Sequence, residues 1–235
     1  MDVNNQLIGI LRETLTQNAV LGVQDYIPKL QNNLNNQDQF EDLLYEGYAA
    51  LLFSAHGFSV KMQDSPDLSL QLSDDQFLAE VKRFRRKTQD AIDQKRMQRA
   101  NHLLVRYGNP EAWGQVFNDI REKSQEYRGE YPFIVVLASS SQHCIEDCEV
   151  QTAANYAKEP STRKYNPELE RLNGILFLSS DIRLNPLKDV YWFPIEGAKV
   201  PLPSAVADRL GTLNGWHRIK YGILQFTNNK LNPNS

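Results

Sequence analysis

Apolar residues recur at helical spacing in the first quarter of the chain and at sheet spacing after it. Leu7, Ile8, Leu11, Leu15 and Val20 make one stripe, which predicts a helix over residues 3–22, with Gly22 as its stop. The Asn- and Gln-rich stretch Gln31–Gln39 reads as a loop or a weak helix end. A second stripe, Phe40, Leu43, Leu44, Tyr48, Leu51 and Leu52, predicts a helix over residues 38–56. Asp38 is its expected N-cap, Glu41 completes a capping box, and His56-Gly57 ends it. The period then changes to two. Phe58–Met62 reads as a strand, Pro66-Asp67 opens another, Asp74-Asp75 marks a hairpin loop, and residues 77–84 form a third.

In that third strand Leu78, Glu80, Lys82 and Phe84 fall on one face. Phe77, Ala79, Val81 and Arg83 fall on the other. Apolar residues on both faces predict a central strand covered on both sides. A helix is expected from Thr88-Gln89-Asp90 to about Arg106, broken at Gly108-Asn-Pro110. An amphipathic helix follows over 111–128, with Trp113, Val116, Phe117, Ile120 and Tyr127 inward. Phe133–Ala138 and Gly174–Ser179 read as buried strands, and Val190–Phe193, followed by Pro194, as an edge strand. Residues 142–157 read as a helix, 158–173 as a loop with a short helix, and Pro201–Leu210 as a short final helix. The aromatic residues Trp216, Tyr221 and Phe226 are expected to pack on the core.

Two hundred and thirty-five residues, 41% of them hydrophobic and 23% charged, suit one globular domain. Its organisation is expected to be a core over about 38–180, an N-terminal helix and a C-terminal extension over 181–235. No apolar run is long enough to span a bilayer, and no secretory signal is expected in the polar N-terminus. The two cysteines, Cys144 and Cys148, are spaced as on one helix face and suggest a reducing, cytoplasmic setting with a packing role. With His143 and Asp147 they lack the second ligand pair that zinc requires.

The formal net charge of −3 makes no global case for nucleic acid, but the charge is unevenly spread. Residues 80–106 hold nine Lys or Arg against three acids, net +6, so the remainder is net −9. Arg83, Arg85, Arg86, Lys87, Lys95, Arg96 and Arg99 are the expected phosphate contacts. A solvated helix face is the plainer explanation of such a run.

The basic segment adjoins a pair of carboxylates. Asp67 opens one strand and Glu80 lies in the next, so the two can converge across the hairpin. Hard carboxylate oxygens with room for water suit Mg2+ or Mn2+. Lys82, two residues beyond Glu80, points to the same side. It can hold a water or offset charge on a phosphoryl oxygen. The plain alternative is an exposed salt bridge on an edge strand.

Pro66-Asp67 followed by Glu80-Val81-Lys82 resembles the PD-(D/E)xK nuclease superfamily, which includes restriction endonucleases, junction resolvases and repair nucleases. The resemblance spans roughly residues 38–140. It implies a restriction-endonuclease-like αβββαβ core with a mixed central sheet flanked by helices. It also implies Glu46, on the helix before the first core strand, as a third acidic site residue, with Glu41 and Asp42 as competitors and a solvent-facing carboxylate as the plain alternative, and the Val81 carbonyl as a further metal ligand. The function this implies is divalent-metal-dependent hydrolysis of phosphodiester bonds in nucleic acid, DNA foremost. Asp67, Glu80 and Glu46 would bind the metal and Lys82 would position the water, in a monomer or homodimer. The alternatives are a non-catalytic nucleic-acid-binding or regulatory protein on the same fold, and a protein-interaction scaffold.

Overall fold

The strands lie side by side in the order in which they occur in the chain. The computed structural model describes residues 3–85, 112–127, 129–139, 145–179 and 189–213. Strands β1 (Ser59–Met62), β2 (Leu68–Leu72) and β3 (Asp75–Arg83) form an antiparallel meander. Strands β4 (Phe133–Ala138) and β5 (Leu172–Ser179) continue it in parallel, and β6 (Asp189–Pro194) closes it antiparallel. The result is a six-stranded mixed sheet of order β1-β2-β3-β4-β5-β6.

A parallel pair cannot be joined by a hairpin, so a long crossover carries the chain from β3 to β4. That crossover contains α4 (Ala112–Glu126). All six residues of β4 are buried, as the unbroken apolar run predicts for a strand covered on both faces. The meander turns tightly at Ser73-Asp74, with Ser73 at φ 55, one residue earlier than the expected loop.

Helices cover both faces. α1 (Val3–Gln17), α2 (Val23–Asn32), α3 (Gln37–Ala55) and α7 (Ser204–Gly211) share one apolar layer with Val60, Leu68, Leu70 and Phe77. α4 and α5 (Asp147–Lys158) share the other with Leu78, Phe84, Val135 and Phe177. A short helix, α6 (Pro160–Tyr165), and a 3-10 turn over Pro167–Arg171 lead into β5. Among the described residues no helix is long and apolar enough to cross a membrane.

Some expectations need correction. The first helix ends at Gln17 rather than at residue 22. The Asn18 amide donates to the Thr14 carbonyl at 2.8 Å, and Ala19 takes a left-handed φ of 55. Leu21 then lies along β1, donating to Val60 O and accepting from Met62 N, both at 2.9 Å. α2 follows, with Pro28 inside it, a helix not expected over 23–30; its end at Asn32 fits the weak helix end expected at Gln31. The cap of α3 is Asn36, whose side chain accepts from the Gln39 N–H; Asp38 and Glu41 are engaged elsewhere. Cys148 is exposed rather than packed. The helix expected after Thr88, His143, Cys144 and the aromatic residues beyond 213 lie outside the described residues.

Candidate functional site

The alternation of β3 holds as expected. Leu78 and Phe84 enter the layer under α4 and α5, while Phe77, Ala79 and Val81 enter the layer under α3. β3 is an internal strand, so the edge-strand alternative for Glu80 and Lys82 does not apply.

Pairing of β2 with β3 ends at Leu68 and Ala79, and Asp67 continues the register opposite Glu80. The chain enters Asp67 through a cis Ser65–Pro66 bond. Past the end of the ladder, free backbone donors turn to the acids. The Val81 N–H donates to Asp67 Oδ2 at 2.7 Å, and the Asp67 N–H donates to Glu80 Oε2 at 3.3 Å. The two carboxylates are thus interlocked across the hairpin. Val81 enters the site through its N–H.

Glu80 is 6% exposed, a position that an ionised carboxylate rarely holds without a partner. Its partner is Lys123 of α4, whose Nζ donates to Glu80 Oε1 at 2.7 Å and to Glu126 at 2.9 Å. Burial pulls Lys123 down, but these two carboxylates outweigh it and hold the ammonium above the usual lysine range. Sequence reasoning missed Lys123. The signal was there, because Val116, Ile120, Lys123 and Tyr127 fall on one helical stripe, and a lysine on such a stripe needs a buried anion. Lys82 sits on the Glu80 face and acts electrostatically on Asp119, also on α4. Burial raises the Asp119 carboxyl to about 6 against the opposing pull of Lys82.

Asp67 is pushed to about 7, first by burial and then by the Glu80 charge. Glu46 is raised well above the usual carboxylate range, by burial and then by Asp67, with Glu80 adding to it. Burial is the larger cause for both acids, and each also feels the charge of its acidic neighbours.

Glu46 is half-buried on the wall of a cleft of about 550 Å³ between α2, α3 and the end of β1. Lys29, Lys61 and Asp64 share that wall. Lys29 donates to Asp64, which with the Glu46 and Asp67 charges holds the ammonium up. The cleft keeps its shape through two glycines. A side chain at Gly47 would collide with the Tyr26 hydroxyl, which donates to the Leu43 carbonyl. At Gly22, φ is 81 and a Cβ would strike the Met62 carbonyl.

Of the expected phosphate contacts, Arg83 must be withdrawn. It is 2% exposed and packs against α3. Its Nε, Nη1 and Nη2 donate to Asp42, Glu41 and Asp38 at 2.8, 2.7 and 2.9 Å. Its place on the α3 face of β3 follows from the alternation, and three α3 carboxylates meet it there. Arg85 is exposed but paired with Asp42. Arg86, Lys87, Lys95, Arg96 and Arg99 lie outside the described residues.

The donors present fit a hard divalent cation in kind, because Asp67, Glu80 and Glu46 offer only carboxylate oxygens. As they stand they do not form a closed ligand set. Among the described residues no three of His, Cys, Asp or Glu are grouped closely enough to hold a metal ion. Both Glu80 oxygens accept protein donors. No protein-family model, no curated protein and no solved structure matches the chain, so any functional reading rests on its own residues.

Proposed function

We propose that the chain hydrolyses phosphodiester bonds of nucleic acid, DNA foremost, at Asp67, Glu80 and Lys82, with Mg2+ or Mn2+ as cofactor. The observation that carries this reading is the interlocking of Asp67 and Glu80 across the β2–β3 hairpin, with Lys82 on the Glu80 face. The order α3, β1, β2, β3, crossover, β4 is compatible with the restriction-endonuclease-like core that the Pro66-Asp67 and Glu80-Val81-Lys82 pattern resembles.

Asp67, Glu80 and Glu46, with the Val81 carbonyl, are the residues that would hold the cation. Bound there, it would lower the pKa of water and offset charge on the phosphoryl oxygens. The Lys82 ammonium would hold a water or a non-bridging phosphoryl oxygen in line for attack at phosphorus. A bond from the water oxygen to phosphorus forms as the bond to the departing sugar oxygen breaks, and that oxygen takes up a proton. Lys123 would act as a positioning residue, fixing the Glu80 rotamer.

The test is cleavage of labelled DNA and RNA by the wild-type chain, Asp67→Ala and Lys82→Ala, in Mg2+, Mn2+ and chelator. Cleavage by wild type alone, and only with metal, supports the reading. A second reading is favoured by the Lys123–Glu80 ion pair. In a non-catalytic nucleic-acid-binding protein of the same architecture, that lysine would permanently neutralise the acid. Retention of DNA without cleavage in either metal would select it.

A further inference from the structure

The β1–β2–β3 meander has a second face that the candidate chemistry does not explain. Val60, Met62, Leu68, Leu70 and Phe77 pack under α3, while Ser59, Lys61, Ser69, Gln71 and Gln76 alternate outward. Among the described residues, the layer under α4 and α5 takes up Leu78 of β3 and Phe84 just beyond it but no residue of β1 or β2. The outward residues floor a cleft of about 510 Å³, walled by Asn18, Ala19 and Leu21.

Its lining is unusual in kind. Amides and hydroxyls dominate it. Among the described residues no carboxylate occurs in it, and Lys61 is its one formal charge. The amides are held in place. Gln76 Nε2 donates to Ser69 Oγ at 2.9 Å, and Gln71 Nε2 donates to the Ser73 carbonyl at 2.7 Å. The cleft is continuous with the candidate site in two ways. Leu21, Lys61 and Gln63 also line the cleft that holds Glu46. Along β2 and β3, Asp67 and Glu80 stand on the same sheet face as Ser69, Gln71 and Gln76, a few residues away.

We infer that this amide-lined groove on the outward face of β1–β2–β3 takes the base edges of the nucleic-acid strand beside the bond cut at Asp67 and Glu80, and so sets a sequence preference. The inference rests on the nuclease reading above. Held Gln and Asn amides match the donor–acceptor pairs of base edges, adenine above all. A surface meant only for the phosphate backbone would present several cations, whereas among the described residues this one presents Lys61 alone.

The experiment has three arms. Cleavage of an oligonucleotide pool randomised around the cut site should show a base preference in the wild type. That preference should relax at least about tenfold in the double variant Gln71→Ala/Gln76→Ala, since a good bidentate base contact discriminates by about 1–3 kcal/mol. A preference unchanged in the double variant, or no preference in a wild type that cleaves, overturns the inference. Hydrolysis of bis(4-nitrophenyl) phosphate by the wild type with Mn2+ reports on the carboxylates apart from the groove. If neither diester nor oligonucleotide is cut, the nuclease reading fails and retention of the same pool in chelator decides for the groove. Affinity at least fivefold weaker in the folded double variant keeps the groove as a nucleic-acid surface. Equal or absent retention overturns it.

Discussion

Asp67 holds its proton too tightly for an ordinary carboxylate, and that has a consequence for stability. Its pKa is about 7 in the folded chain, because of burial and then the Glu80 charge. Unfolded it returns to the usual value near 4. Between these values the folded state binds more protons, so stability falls as pH rises through that window. Asp67→Asn should therefore be more stable than wild type at pH 8, with the gap closing by pH 4, as followed by urea midpoints. Divalent metal should narrow the gap at pH 8 by stabilising the ionised wild type. Lys123 has the opposite role. Lys123→Met leaves Glu80 buried without its cation and should cost about 3 kcal/mol at pH 8, the low end for a broken buried pair. Equal midpoints for wild type and Lys123→Met would mean that Glu80 does not depend on that ammonium. The pair Asp67 and Glu80 was legible because strand alternation and a hairpin fix which side chains meet. For Lys123 the helical stripe showed only that it needs a buried anion; that this anion is Glu80, and that Asp119 faces Lys82, depends on how the crossover packs, which no local pattern reveals.

At the scale of elements, α3 is fastened to the sheet at the adjoining C-terminal ends of β3 and β4. Arg83 joins β3 to Asp38, Glu41 and Asp42, and the Tyr45 hydroxyl donates to the Ser139 carbonyl at 2.9 Å. Glu46 lies on the same helix, so its approach to Asp67 depends on that docking. Arg83→Met should destabilise by about 3 kcal/mol while leaving metal-free nucleic-acid binding unchanged, because the guanidinium faces α3 rather than solvent. A large loss of affinity at constant stability would return Arg83 to the binding surface. Gly47→Ala should displace the Tyr26 ring and cost about 1–3 kcal/mol, the usual range for overpacking, with a matching fall in thermal midpoint. The strands were readable from period and β-branching, and β4 and β5 needed nothing more. α2 was not, because a helix with a proline inside it and few strong signals is fixed by tertiary packing of Tyr26, Ile27 and Leu30. Asp38 and Glu41 look like a capping box by spacing, yet Arg83 offers their charges a better partner than a backbone N–H.

For the whole molecule, the α/β architecture is a six-stranded mixed sheet between two helical layers, with the carboxylate pair where the β2–β3 ladder ends. A chain of net charge −3 has no global long-range attraction for nucleic acid, so electrostatic attraction would have to come from a local patch, for which the basic segment after β3 is the candidate. Replacing Arg86 and Lys87 by Ser should weaken binding evenly across sequences. It should also flatten the salt dependence by about one unit of slope for each phosphate that is no longer neutralised. An unchanged slope would place the phosphate-binding cations elsewhere. Whether Asp67 and Glu80 share a divalent cation can be tested without any substrate, by Mn2+ titration followed by electron paramagnetic resonance. A tight Mn2+ site is expected in the wild type, retained in Lys82→Ala and lost in Asp67→Asn and Glu80→Gln. No bound Mn2+ in the wild type, or a site indifferent to both carboxylates, would contradict a shared cation.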